Sequence, residues 1–250
     1  MNQKISIVTI VFNDKNGLEE TANSVISQVY PNLEYIIIDG GSTDGTVEII
    51  KKYRDYISYW ISESDKGIYD AMNKGLRKAT GEWVCFMNAK DVFADSDVLE
   101  RLRDAFNSDA DVIVGNTLMK DDDELREYKA RKNRNISSRN VTSMGFVHQS
   151  SFVRTELARK YPFDTRYRLA ADFGMFYELH RNHCKFLYVD FPISCFDTTG
   201  VAMNNVYQGK LETLTIARPD CPLRNRIRAH LITILLRIRA FVDRHIIKVI

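Results

Sequence analysis

The stretch NLEYIIIDGGSTDGT, residues 32–46, decides the fold. Its first half, NLEYIIID, is an apolar, isoleucine-rich run of the kind that forms a buried strand. The glycines that follow predict a turn, and the Ser, Thr and Asp residues beyond them are typical caps at the start of a helix. The next segment, TVEIIKKYRDY at residues 46–56, is predicted to be that helix. A buried strand that passes through a turn into a helix is the first part of a βαβ unit.

The same alternation runs through the first half of the chain. Strands are predicted at ISIVTIVF (5–12), SYWIS (58–62), EWVCFMN (82–88) and ADVIVGN (110–116). Helices are predicted between them at LEETANSVISQ (18–28), YDAMNKGLRKA (69–79) and DVLERLRDAF (97–106). Right-handed βαβ crossovers join such strands into a doubly wound, mostly parallel α/β sheet with flanking helices. Ligands of these sheets bind in the crevice at the carboxyl ends of the strands.

The composition excludes several classes of protein. With 44% hydrophobic and 27% charged residues, the chain is an ordinary globular protein rather than a disordered or collagen-like one. The net charge of +2 gives no reason to expect a nucleic-acid partner. No stretch reaches the ~18 apolar residues of a spanning helix, and no signal-peptide cleavage site is visible, so we expect a cytoplasmic protein. The four cysteines are scattered without a CxxC pair, which predicts neither a zinc site nor a disulfide framework.

The second half of the chain gives weaker signals. Residues 120–140 are polar, charged and without a clear period, which predicts a long loop that is either solvated or functional. A helix is predicted at YRLAADFGMFYELHRN (167–182), and KFLYVDFPISCF (185–196) is predicted as an edge or mixed-sheet strand, because Pro192 cannot donate to a ladder. We therefore expect one domain over 1–218, with halves 1–118 and 119–218, followed by a basic amphipathic helical extension over 219–250.

The predicted C-terminal helix combines arginines with a broad apolar face. Its basic residues are Arg224, Arg226, Arg228, Arg237, Arg239 and Arg244. Its apolar residues are Ile227, Leu231, Ile234, Leu235, Leu236, Ile238, Phe241 and Ile246. A helix of this kind can lie in a membrane interface and attract anionic lipid, which would make the protein peripheral on the inner face of the plasma membrane. The alternative is a helix that packs on the catalytic domain, or on a second subunit of a homo-oligomer.

Polar residues follow each predicted strand of the first half. If the strand ends converge, one crevice holds Asp39, Asp65, Lys66, Asn73 and Asp91 beside glycine-flanked backbone. Carboxylates bind a hard cation through oxygen, and Mg²⁺ combines one or two of them with phosphate oxygens. Glycines let the backbone approach a ligand closely. The mixture suits a nucleotide diphosphate with a metal, although STDG is also a common turn and Asp39 could simply satisfy backbone amides.

Taken together, five ordered motifs resemble a known family. They are VTIVFND (8–14), SVISQVYPNLEYIIIDGGSTDGT (24–46), DKGIYDAMNKGLRKATGEWVCFMNAKD (65–91), HQSSFVR (148–154) and LAADFGMFYEL (169–179). In order and spacing they are similar to the family 2 glycosyltransferases with the GT-A fold, most of all to a branch of bacterial polysaccharide enzymes. The resemblance covers roughly residues 3–200. It implies an inverting transferase that takes a sugar, of hexosyl or N-acetylhexosaminyl type, from a nucleotide diphosphate, often UDP. The acceptor it implies is a hydroxyl of a glycan or lipid-linked molecule in surface polysaccharide biosynthesis.

The resemblance also implies roles for single residues. Thr9, Phe12 and Asp39 would cradle the base, although Gly40 stands where many members carry a second aspartate that contacts uracil. The remaining residues that it assigns to the nucleotide sugar are Ser42, Asp65, Lys66, Asn73, Asn88, Lys90, His148 and Gln149.

The metal motif and the general base follow from the same resemblance. The acidic metal motif of the family falls on residues 88–91, where Asp91 is the remaining acid and would bind Mn²⁺ or Mg²⁺. Lys90 departs from the pattern: it can face solvent, contact the diphosphate, or replace charge of the metal. Asp172 in LAAD matches the general base, a role open to an ionised carboxylate within reach of the acceptor hydroxyl. Taken alone, it is more typical of a first-turn acid favoured by the helix dipole, and the ordered motifs reverse that preference.

Two other classes of protein are weighed against this hypothesis. A nucleotidyltransferase would need a glycine-rich, basic loop after the first strand, and FNDKNGLEE (12–20) is acidic with one glycine. A non-catalytic protein that binds nucleotide sugars would explain the altered sequence NAKD at 88–91. The presence of Asp172 argues for an active enzyme instead.

Overall fold

Three strand–helix units open the fold, as the alternation predicts. The computed structural model describes residues 2–121, 124–131, 144–198 and 206–217, with positions 227, 231, 234 and 235. The first strands are β1 (Ile5–Val11), β2 (Leu33–Asp39), β3 (Tyr59–Ser62) and β4 (Trp83–Phe86). The helices between them are α1 (Lys15–Ile26), α2 (Thr46–Lys52) and α3 (Ile68–Lys78), with a 3₁₀ turn at Arg54–Tyr56. Every residue of β1 and β4 is buried, which explains why these segments are apolar with little alternation.

The parallel part of the sheet brings three strand ends to one level. β3, β2, β1 and β4 lie side by side in that order and run parallel. Val11 pairs with Asp39, and Asp39 pairs with Ser62 on the other side. The loops that follow these residues therefore leave the sheet next to one another, as expected for the ligand crevice of such a sheet.

The second half completes the sheet with strands of mixed direction. Its strands are β5 (Val92–Phe93), β6 (Val112–Asp121), β7 (Glu124–Tyr128), β8 (Ser151–Arg154) and β9 (Phe186–Asp197). Its helices are α4 (Val98–Arg101), α5 (Arg103–Phe106), α6 (Thr155–Lys160), α7 (Ala171–Arg181) and α8 (Val206–Ala217), with a 3₁₀ turn at His148–Ser150. β8 runs antiparallel to β4 and β6, whereas β9 is parallel to β6 and antiparallel to β5. The α/β class is confirmed, and the uniformly parallel pairing is confined to the first half.

Helices cover both faces of the sheet, because alternate residues of a buried strand point to opposite sides. On one face Val8 packs in a cluster with Met72 of α3. On the other face Ile7 packs in a cluster with Leu18 of α1. The approach of α3 is close: a Cβ added at Gly75 would lie 2.3 Å from Cγ1 of Val8. This contact fixes the height of α3 above β1, and α3 carries part of the site described below.

The predictions for the second half need one correction. The loop predicted over 120–140 is wrong in its first part, because β6 continues to Asp121 and forms a hairpin with β7. Both faces of β7 are exposed, so its sequence has no apolar period to reveal a strand. Residues 132–140 lie outside the described residues. The mixed-sheet alternative for 185–196 is confirmed, and the register between β6 and β9 shifts where Asn116 faces Pro192.

The C-terminal extension lies almost entirely outside the described residues. Four of its apolar residues are described, and all are more than half exposed: Ile227, Leu231, Ile234 and Leu235. Within the described part of the chain, no helix has the length and apolar content needed to cross a membrane. The predicted division into 1–218 and 219–250 stays a prediction, and the boundary at 118/119 falls inside β6.

Candidate active site

Asp39 organises the loop that follows β2. Its carboxylate is fully buried and accepts hydrogen bonds from the backbone N–H of Gly41 (3.2 Å) and Ser42 (3.0 Å) and from Oγ of Ser62 (2.5 Å). The Ser42 hydroxyl also donates to Asp39, and it accepts from the backbone N–H of Asn13 at 2.7 Å. Asp39 and Ser42 thus join the loops after β1 and β2, which is the structural alternative that the sequence left open for Asp39.

Phe12, Gly40 and Asp65 meet at the mouth of the crevice. A Cβ on Gly40 would lie 2.7 Å from Oδ2 of Asp65 and 3.2 Å from Cδ2 of Phe12, so a larger residue here would have to displace the Asp65 carboxylate. The Phe12 side chain is 64% exposed although it is a large aromatic group. An exposed ring beside a carboxylate is an arrangement that can receive a nucleobase. The structure brings these two predicted residues together.

Two predicted donor ligands have other positions. Thr9 is fully buried within β1, where its Oγ1 accepts a hydrogen bond from the Tyr35 hydroxyl at 3.2 Å. Its side chain is therefore turned into the protein, and the contact of Thr9 with the base stays a prediction. The amide of Asn73 bonds to the backbone of Phe163 in both directions, with Nδ2 to O at 2.8 Å and N to Oδ1 at 3.1 Å. Asn73 thereby ties α3 to the segment before α7. Lys66 is exposed, in the loop that leads into α3.

Lys90 occupies a strained position in the loop after β4. Its φ is 77°, a left-handed backbone conformation that favours glycine, and its backbone N–H donates to the carbonyl of Gly17 at 3.1 Å. Its Nζ lies 3.9 Å from Oδ2 of Asp14, and the side chain is 45% exposed. The ammonium group of Lys90 therefore faces Asp14, and its contact with a diphosphate stays a prediction.

Asp91 is enclosed by the protein. It is 3% exposed; its Oδ2 accepts from Nε2 of Gln149 at 2.8 Å, and its Oδ1 accepts from the backbone N–H of Asp197 at 3.3 Å. Burial raises the pKa of Asp91 to about 7, although the Gln149 hydrogen bond opposes that shift. A metal ligand needs an open, ionised oxygen, whereas both carboxylate oxygens of Asp91 accept hydrogen bonds from the protein. This arrangement does not fit the predicted metal role of Asp91.

Asp172 lies at the start of α7 between two side chains from distant parts of the sequence. Its Oδ2 is 3.3 Å from Nδ1 of His148, and its Oδ1 accepts from the Tyr69 hydroxyl at 2.9 Å. Burial raises the pKa of Asp172, but the hydrogen bond and the charge of His148 outweigh it, and the pKa falls below its ordinary value. Asp172 is therefore an ionised carboxylate in a largely buried place. No motif assigned a role to Tyr69, although it lies four residues before Asn73, on the same face of α3.

Three buried polar atoms border this network without a hydrogen-bond partner among the described residues. They are Oδ1 of Asn88, Nε2 of His148 and Oε1 of Gln149. Nε2 of His148 donates a hydrogen bond when the imidazole is charged and accepts one when only Nδ1 is protonated. The amide oxygens of Asn88 and Gln149 are acceptors, and buried acceptors normally have a donor. Hydroxyl groups of a sugar are donors of the required kind.

Solved structures of glycosyltransferases share this architecture. TarS 1-349 of S. aureus in complex with UDP superposes with a TM-score of 0.66 at 18% identity, covering 86% of this chain and 64% of that one. The mannosyltransferase PcManGT from Pyrobaculum calidifontis, in complex with GDP-Man and Mn²⁺, gives a TM-score of 0.66 at 16% identity, covering 92% of this chain and 69% of that one. The fold is the GT-A fold of glycosyltransferases.

The sequence comparisons give the family. The profile of Glycosyl transferase family 2 matches residues 6–183, and the chain belongs to that family. An uncharacterised glycosyltransferase of Mycobacterium tuberculosis (strain CDC 1551 / Oshkosh) is 40% identical over 104 residues, which are 41% of this chain and 40% of that protein. A PGL/p-HBAD biosynthesis glycosyltransferase of Mycobacterium bovis (strain BCG / Pasteur 1173P2) is 27% identical over 93% of this chain and 89% of its own length.

Proposed function

We propose that the protein is an inverting glycosyltransferase that transfers a hexosyl or N-acetylhexosaminyl group from a UDP-sugar to a glycan or lipid-linked hydroxyl. The observation that carries this proposal is the position of Asp172. It is bonded to Tyr69 at the start of α3, directly after the loop whose Asp65 borders the crevice. A bound donor would thus place its nucleotide near Asp65 and its sugar near Asp172, with the start of α3 between them. UDP is the nucleotide in the TarS complex, which supports the choice of base.

The chemistry requires one proton acceptor. A hydroxyl is a weak nucleophile until its proton is removed, and an ionised carboxylate can accept that proton in the transition state. We assign this role to Asp172. The acceptor oxygen attacks the anomeric carbon from the face opposite the diphosphate, the bond from sugar to diphosphate breaks, and the configuration inverts. Asn88, His148 and Gln149 are proposed to bind the sugar hydroxyls through Oδ1, Nε2 and Oε1, the three buried atoms without a partner among the described residues.

Negative charge develops on the diphosphate as its bond to the sugar breaks, and a cation must offset it. Because Asp91 does not fit a metal ligand here, we derive no step through a metal ion. Lys90 is the residue that we propose for this position, since its ammonium is half exposed beside α1 and follows the strand end. A lysine acts on phosphate as a point charge and needs no fixed orientation.

The test is donor binding followed by donor hydrolysis. Thermal unfolding is recorded with UDP, GDP and their sugar conjugates, with and without Mn²⁺, because a ligand that binds the native state raises its stability. Release of UDP from UDP-glucose and UDP-N-acetylglucosamine is then compared between the wild type and Asp172→Asn. We expect turnover to fall by ~10²-fold or more with unchanged nucleotide affinity. Equal loss of binding and turnover would instead make Asp172 a donor-site residue.

The altered loop at 88–91 keeps one alternative under consideration, a non-catalytic protein that binds nucleotide sugars. Its support is the enclosure of Asp91 and the lysine beside it. Such a protein would shift its melting temperature with UDP-sugars, and its rate of donor hydrolysis would equal that of the Asp172→Asn variant. The same two measurements therefore separate the two functions.

We further propose that the C-terminal extension holds the enzyme on an anionic membrane surface, close to a lipid-linked acceptor. Ile227, Leu231, Ile234 and Leu235 recur at the spacing of one helical face and are exposed. The segment from 222 to 242 contains arginines and no acidic residue, so its charge suits an anionic lipid surface.

A further inference from the structure

We propose that Tyr69 is a positioning residue for proton transfer, which holds the Asp172 carboxylate in its ionised form and in one orientation. This inference rests on the role of Asp172 given above. The Tyr69 hydroxyl donates to Oδ1 of Asp172 at 2.9 Å, and the tyrosine is 7% exposed. The two residues are 103 positions apart in sequence, so the hydrogen bond joins α3, in the first half of the chain, to α7, which carries Asp172.

The Tyr69 ring has little freedom to move. It stacks on Phe163 with ring centroids 5.6 Å apart and an angle of 27° between the planes. Phe163 in turn meets Phe86 of β4 edge-on at 4.9 Å and 81°. Asn73, one helical turn after Tyr69, fixes the backbone of the same Phe163 through two hydrogen bonds. The direction from which the phenol reaches Asp172 is therefore set by packing rather than by the hydrogen bond alone.

At neutral pH the Tyr69 hydroxyl is protonated and can donate its hydrogen bond to Asp172. Burial and the charge of Asp172 both raise the pKa of Tyr69 well above its ordinary value, so the phenol keeps its proton. The other groups that face the pair are His148, at 3.3 Å from the second oxygen of Asp172, and Glu212, whose carboxylate binds the backbone N–H of Leu169 and Ala170 before α7. A hydrogen bond to the charged form of a carboxylate favours that form. Removing the phenol should therefore raise the pKa of Asp172.

The experiment replaces Tyr69 by Phe, which keeps the ring and its stacking and removes the hydroxyl. Tyr56→Phe is the matched control, because Tyr56 is 63% exposed in the 3₁₀ turn after α2. The pKa of Asp172 is measured by carboxyl-carbon NMR of aspartate-labelled protein, with Asp172→Asn to assign the signal. The pH dependence of UDP release from UDP-glucose and UDP-N-acetylglucosamine is recorded for the same proteins.

We expect Tyr69→Phe to raise the pKa of Asp172 and to move the acidic limb of kcat/KM to higher pH, with kcat lower by about tenfold. Tyr56→Phe should change neither. If Tyr69→Phe does not fold, Asn73→Ala is tested in its place. This change frees Phe163, on which the Tyr69 ring stacks, and it should move the acidic limb of kcat/KM to higher pH by a smaller amount. An unchanged pKa of Asp172 and an unchanged limb overturn the role of Tyr69. Full activity of Asp172→Asn would overturn the role of Asp172 itself, and the role of Tyr69 with it.

Discussion

The substitution Gly75→Ala tests whether the contact between α3 and β1 determines the position of the site. A Cβ at this residue would lie 2.3 Å from Cγ1 of Val8 and 3.4 Å from Cγ1 of Ile38, and both neighbours are fully buried. The helix must therefore move away from the sheet, or Val8 must shift within a closed core. Overpacking of this kind costs about 1–3 kcal/mol, whereas the higher helix propensity of alanine returns about 1 kcal/mol. We expect the free energy of unfolding to fall by up to about 2 kcal/mol.

Gly174→Ala is the matched control, because Gly174 also lies inside a helix, α7, but has room for a methyl group. The nearest atom to its added Cβ is Cδ1 of Ile216 at 3.6 Å, an ordinary contact. Only the higher helix propensity of alanine then changes the stability, and we expect the free energy of unfolding to rise by up to about 1 kcal/mol. Urea unfolding followed by far-ultraviolet circular dichroism measures both variants. Equal stability of Gly75→Ala and Gly174→Ala would refute the argument that close approach to β1 limits position 75.

Three further predictions concern other parts of the chain. Burial raises the pKa of Glu34, but hydrogen bonds from Lys4, Ser6 and Thr80 lower it from 4.5 to about 2. The ionised Glu34 stabilises the fold by at most about 3 kcal/mol; this contribution is complete above pH 4.5 and is lost as the pH falls toward 2. In urea unfolding, the free energy of unfolding of Glu34→Gln should therefore fall less between pH 4.5 and pH 2 than that of the wild type. An equal fall in the two proteins would contradict this. Lys90→Gly should weaken UDP binding several-fold in isothermal titration, and unchanged affinity would show that this lysine only faces water. A chain ending at residue 219 should lose the flotation with anionic liposomes that the full chain shows, and equal behaviour of the two would rule out the membrane role.

The parallel half of the fold could be predicted from the sequence because each of its signals has a local cause. A strand buried on both faces must be apolar throughout, and Asp39 and Gly40 mark the point where it leaves the core. The neighbouring strand ends follow from the parallel register, which predicts a crevice with Asp65, and the family resemblance adds Phe12 to it. The β7 strand could not be found in the same way. Both of its faces are exposed, and its partner β6 alone defines it.

Side-chain roles were predicted less well, because a motif fixes a residue's position in the chain and not its direction. Thr9 stands in a motif beside the crevice, yet it points into the protein and bonds to Tyr35. Asn73 was assigned to the donor because it is polar and near the crevice, whereas its amide is taken by Phe163. The family motif implies a metal at Asp91, and only the contact with Gln149 reveals that this carboxylate is enclosed. Each of these outcomes depends on a partner more than 20 residues away.

Helix α3 connects the two ends of the proposed reaction. Its first turn follows the loop of Asp65 and carries Tyr69, and its third turn carries Gly75, which sets its distance from β1. The hydrogen bond from Tyr69 to Asp172 is 2.9 Å long, and a contact of about 3.6 Å is no longer a hydrogen bond, so a shift of α3 by less than 1 Å would break it. Gly75→Ala should therefore lower donor hydrolysis by more than its loss of stability explains. A variant that hydrolyses UDP-sugars at the wild-type rate while folded would show that Asp172 is held by α7 and His148 alone.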